Sequence, residues 1–195
     1  MKKISIFAMA IMLLTACKKE VNSDPMMQAE LASKTNAKSA KVTSPMKINF
    51  YSSVNLASPS LTCTLPGVPF GITNSGYFLH GNATHLGLIN AETSIGLDGS
   101  CNLSGTTFIL STTTAGQIVA ANGDKITYTG NDAIDLNNII FNGGTTAAIT
   151  GLWTITGGTG RFAGATGSFS IKGTVNVASP QGPTFSITGE GTITY

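Results

Sequence analysis

Beyond Met46 the apolar and polar residues alternate in steps of two. The last segment shows this best: Phe185, Ile187, Gly189, Gly191, Ile193 and Tyr195 fall on one side, with Ser186, Thr188, Glu190, Thr192 and Thr194 on the other. Phe169, Ile171, Gly173 and Val175 alternate in the same way with Ser168, Ser170, Lys172 and Thr174. A period of two marks an extended strand that buries one side and wets the other, as antiparallel sheets do. The pattern predicts strands at residues 47–53, 75–84, 85–97, 106–112, 147–156, 167–177 and 185–195, and a hairpin over 116–129. Asn122-Gly123 at the hairpin tip suits the positive φ angles of a type I′ turn. No segment past Met46 carries a helical period. A set of about eight such strands, ending in one this regular, predicts an all-β fold closed into an antiparallel barrel, since closure removes the exposed edges. Glycines on the apolar faces suit strand coiling and close approach inside a small barrel.

The chain before Met46 has a different character. Lys2 and Lys3 precede an apolar run from Ile4 to Leu14, and Leu14-Thr15-Ala16-Cys17 follows. The run is well short of the ~20 residues that span a bilayer as a helix. The pattern resembles the bacterial lipoprotein signal, which implies acylation of Cys17 and a new N-terminus there. Acyl chains hold a protein to one leaflet at ~0.8 kcal/mol per buried CH₂. Residues 18–45 read as a flexible tether, with five lysines against three acids and no glycine or aromatic residue. As a coil it would reach ~30 Å. Lys18-Lys19 after the cysteine lacks the aspartate linked to inner-membrane retention in the lipoproteins it resembles, so the expected location is the outer membrane. The expected organisation is a signal at 1–17, a tether at 18–45 and a barrel at 46–195.

Charge narrows the partners. Residues 46–195 hold four cations against six acids, a net of −2, with no basic patch for nucleic acid. Two cysteines remain besides Cys17. Cys63 and Cys101 are candidates for a disulfide in an oxidising compartment, or for two separately buried thiols; neither lies in a C-x-x-C pair.

One motif asks for a cofactor reading. Gly158-Thr159-Gly160-Arg161-Phe162-Ala163 fits the G-x-G-x-x-G/A pattern of dinucleotide loops and follows a strand. Such a loop must open a helix and meet an acid about twenty residues on. Here Gly164 leads into another alternating strand, and no acid occurs between Asp135 and Glu190. The loop therefore reads as architecture and no cofactor is expected: Gly157 and Gly158 end a strand, Thr159 to Ala163 turn, Phe162 plugs one end of the core, and Arg161 faces water or a carbonyl. Gly157, Gly158, Gly160, Arg161, Phe162 and Gly164 together resemble the G-G-T-G-x-F turn of the allene oxide cyclase and dirigent barrels. The likeness is closer still to bacterial secreted proteins that carry the same turn and an A-T-H-x-G segment like Ala83-Thr84-His85-Leu86-Gly87. This resemblance implies an eight-stranded antiparallel barrel with a central cavity. No residue here matches the catalytic motifs of the plant enzymes, and no catalytic residue is carried over.

Candidate chemistry is sparse. His80, on one face with Phe78 and Asn82, is placed in the lumen together with Tyr128. His85 suits a hydrogen bond at a turn. Five residues apart, the two histidines point to opposite faces of an unbroken strand, so a two-histidine metal site would need a bulge or turn between them, and no metal is expected. Glu92 reads as mid-strand and solvated, Asp124 as part of a turn, and Asp132 and Asp135 as part of a loop over residues 130–144. The leading functional reading is a lipid-anchored barrel holding a small hydrophobic guest. An isomerase- or cyclase-like enzyme in the same lumen is the alternative, followed by a structural or adhesive scaffold. A membrane-spanning barrel has Tyr195 in its favour, against few aromatics for two girdles. A cavity of several hundred Å³ would favour a guest.

Overall fold

The computed structural model describes residues 41–58, 60–63 and 72–195. Residues 1–17 with Cys17, and most of the tether, lie outside the described residues. The folded unit is Lys41–Tyr195. Its strands are β1 (Thr43–Val54), β2 (Ser60–Cys63), β3 (Ile72–Ser75), β4 (Tyr77–Ala83) and β5 (Gly87–Leu88). They continue with β6 (Ile95–Leu103), β7 (Ile109–Val119), β8 (Lys125–Asp135), β9 (Thr146–Gly158), β10 (Thr166–Asn176) and β11 (Thr184–Thr194). A short helix, α1 (Asn137–Asn142), joins β8 to β9.

Eight of these strands form a ring. The order β1-β11-β10-β9-β8-β7-β6-β4 returns to β1 through the β1–β4 pairing, and every pairing is antiparallel. The chain is an all-β, closed, eight-stranded barrel. Seven seams are long ladders. The eighth is short: β4 meets β6 only at Tyr77↔Gly96 and Phe78↔Ile95. Below that point residues 87–94 fill the gap, where the Leu79 N–H donates to the Ser94 carbonyl at 2.8 Å and the Ile89 N–H to the Gly81 carbonyl at 3.1 Å.

Four local expectations need correction. The barrel begins inside the expected tether, because Val42 exchanges backbone hydrogen bonds with Tyr195 and Thr43 to Pro45 pair with β11. Backbone pairing of this kind needs no hydrophobic signal. Residues 85–97 are not one strand: Asn90 accepts from the backbone N–H of Glu92 and Ser94, so Glu92 sits in a turn. Residues 130–144 are not a loop over a mouth, since Gly130 to Asp135 complete β8 and α1 follows. Finally, the β7–β8 turn is not type I′. Gly123 alone has positive φ (89°), and its N–H donates to the Ala120 carbonyl, a three-residue loop with glycine in the left-handed position.

The lumen is filled in layers that alternate bulk with glycine. Along the hydrogen-bonding direction Tyr77, Gly96, Gly116 and Tyr128 share one row. Asp98, Thr114, Gly130, Trp153, Phe169, Gly191 and Met46 make the next, and Cys101, Thr112, Asp132, Gly151, Ile171, Gly189 and Ile48 the one after. A Cβ at Gly130 would strike the Trp153 ring, and one at Gly151 the Asp132 carboxylate. Small residues thus make room for the rings and acids opposite them, as narrow barrels require.

The outer surface of the ring is mostly Thr, Ser, Asn, Lys and Glu, while the buried apolar residues point inward. That polarity is the reverse of a membrane-spanning barrel, whose apolar band faces out. No helix among the described residues is long and apolar enough to cross a membrane.

Candidate functional site

One end of the barrel is plugged. Thr159 to Ala165 make a turn with Phe162 fully buried and its ring 5.0 Å from that of Tyr195. Arg161 lies over the Phe162 ring, donates to the His85 carbonyl, and approaches the Asp124 carboxylate at 3.5 Å. Gly158 ends β9 beside Gly157, and a Cβ at Gly158 would meet Phe162. Gly160 and Gly164 adopt positive φ, and Gly160 leaves space for Asp124. His85 also has positive φ, and its Nε2 donates to the Pro45 carbonyl at 3.0 Å.

The structure separates the three residues placed in the lumen by sequence. Tyr128 is inside, 1% exposed. His80 and Asn82 are outside, because Tyr77, Leu79, Gly81 and Ala83 are the inward set of β4. His80 Nε2 lies 2.7 Å from Ser53 Oγ, and its ring stacks on Tyr51. Phe78, which suggested the wrong face, is only half-buried.

What gathers in the lumen instead is a polar group that sequence reading missed. Asp132 is buried and accepts a hydrogen bond from Trp153 Nε1 at 2.8 Å. Trp153 stacks on Tyr128, centroids 4.4 Å apart, and meets Phe169 edge-on. Asp98 arrives from β6 through a bulge between Asp98 and Ser100. Residues three apart on a regular strand face opposite ways; the bulge lets Asp98 and Cys101 both face inward. Cys101 is disulfide-bonded to Cys63, with Cα atoms 5.9 Å apart, fastening the antiparallel β2–β3 pair to β6. The Tyr77 hydroxyl lies 2.7 Å from Thr114 Oγ1.

Asp98, Thr112, Asp132 and Trp153 line a cavity of about 50 Å³, otherwise walled mainly by apolar residues such as Leu110, Ile149 and Phe185. It is much smaller than the several hundred Å³ that would favour a guest over a packed scaffold, because the layers of rings fill the lumen. At 10–15 Å³ per water it admits about four water-sized atoms.

Electrostatics at the cavity follow from burial. Asp98 is half-buried, and desolvation by the apolar wall pushes it up to about 7, with the charge of Asp132 adding to it and the Thr114 hydroxyl opposing. Asp132 is pushed up to about 6 by burial, and the Trp153 indole N–H pulls the other way. Burial raises both phenols far beyond their ordinary range. The Tyr128 hydroxyl is near enough to Tyr77 to be eased by it, yet lies outside hydrogen-bond geometry of any partner among the described residues. No three His, Cys, Asp or Glu side chains gather to hold a metal among the described residues.

No protein-family model matches this chain, and no curated protein does. Among solved structures, it is similar to a pterocarpan synthase dirigent protein at 15% identity, over 80% of this chain and 86% of that one, with a TM-score of 0.41. The assignment of the barrel rests on its own ring of pairings.

Proposed function

We propose that this chain is a lipid-anchored binding barrel of the cell envelope. In this reading acylated Cys17 holds it at the outer membrane, and the cavity beside Asp98 and Asp132 takes a small molecule with an apolar body. The observation that supports the reading is the pair Asp98 and Asp132 in an apolar cavity. Burying carboxyls costs stability, and a barrel that served only as a scaffold would be firmer with apolar residues there. Perturbed carboxyls at a cavity mark a binding or reacting site. Native mass spectrometry of the purified protein tests the idea. A co-purified small molecule that is lost from Asp98→Asn and Asp132→Asn supports it; an empty barrel that takes up no small apolar probe leaves the scaffold reading. The catalytic alternative draws on the same pair, because a carboxyl titrating near neutrality is suited to general acid–base work. It requires turnover that vanishes in Asp98→Asn while guest binding persists.

A further inference from the structure

The cavity carries a chemical preference. Its polar lining is Asp98, Asp132 and Thr112, with the Trp153 indole N–H already donated to Asp132. The titratable groups facing the two acids are Tyr77 from β4 and Tyr128 from β8; no lysine, arginine or histidine lines the space among the described residues. The carboxyl pair therefore has no cation to meet it. A second observation points the same way. The Tyr77 phenol lines the same space, its hydroxyl 2.7 Å from Thr114 Oγ1, and adds an oxygen lone pair beside the two acids. The Trp153 indole and the edge-to-face rings of Tyr77 and Phe185 complete the lining and give the apolar part of a guest its wall.

We infer that the guest of this cavity is a small organic amine, bound as its ammonium form between Asp98 and Asp132 with its alkyl part against the apolar wall. The inference rests on the binding-barrel reading above and names the ligand class for the same site. An ammonium group has three donors and no acceptor, so it matches a site that offers carboxylate and phenol oxygens. Binding an ammonium favours the charged form of both acids, so uptake of the cation releases protons in the pH range where they are still partly protonated. A neutral molecule of the same size gains no ion pair and releases none. The cavity holds about four water-sized atoms, which fits propylammonium.

The test titrates the purified protein at pH 6.5 with propylammonium and, separately, with propan-1-ol, following NMR shifts of Trp153 and proton release in two buffers of different ionisation heat. Expected are at least tenfold tighter binding of the ammonium, proton release with the ammonium alone, and loss of the preference in Asp98→Asn and in Asp132→Asn. Asparagine at 132 still accepts from Trp153, so that variant keeps the local packing, and a circular dichroism melt checks each fold. Equal binding of the two probes, or a preference that survives both substitutions, overturns the amine inference and leaves the barrel reading standing. If neither probe shifts Trp153, both fail.

Discussion

Asp98 carries the most direct test at the level of single residues. Its folded value of about 7 lies above the ordinary 3.8, so between about pH 4 and 7 the folded state holds a proton that the unfolded chain has lost. Stability then falls as pH rises across that window. Asp98→Asn removes the penalty: its melting temperature is expected to match the parent near pH 4 and to exceed it at pH 8, and a variant less stable at pH 8 would contradict the assignment. Trp153→Phe takes away the indole donor to Asp132. The carboxyl should then titrate above 6 in a carbon-detected NMR series, with ~1–3 kcal/mol lost at pH 8 for leaving the acid unpaired. These residues were hard to read in the sequence for different reasons. Asp132 did continue the inward set Ile126, Tyr128 and Gly130 toward Ile134, but the glycines and asparagines around it suggested a loop. Asp98 depends on a bulge, which has no sequence mark.

The strands themselves were largely legible, because period-two burial is written in side-chain type. The predicted segments at 147–156, 167–177 and 185–195 differ from β9, β10 and β11 by no more than two residues at an end. The break after His85 was not legible, since Leu86, Leu88 and Asn90 go on alternating while hydrogen bonds accepted by Asn90 fold the backbone into a turn. The face of β4 failed for a related reason: Phe78 and Leu79 are adjacent apolar residues, and only the neighbouring strands decide between them. Two element-scale outcomes are expected. Phe162→Ala should cost ~3–5 kcal/mol in a urea melt by opening a void at the plugged end. Loss of the Cys63–Cys101 bridge, which spans 38 residues, should cost about 4 kcal/mol in the chain-entropy account, seen by comparing the parent with Cys63→Ser.

For the molecule as a whole, polarity settles how the barrel meets its surroundings. A chain beginning after Cys17 is expected to stay in solution without detergent, by sedimentation, because the ring presents hydroxyls and charges outward; aggregation relieved only by detergent would contradict this. The pairing of β1 with β11 has a further consequence for biosynthesis. The earliest strand made has the latest one as its neighbour, so one flank of Thr43–Val54 stays without its mate until Thr184–Thr194 has emerged. Closure is thus a terminal event that joins distant stretches of polypeptide, which places maturation of this fold among the slow class, milliseconds to seconds, and leaves a growing chain pliable until it is nearly finished.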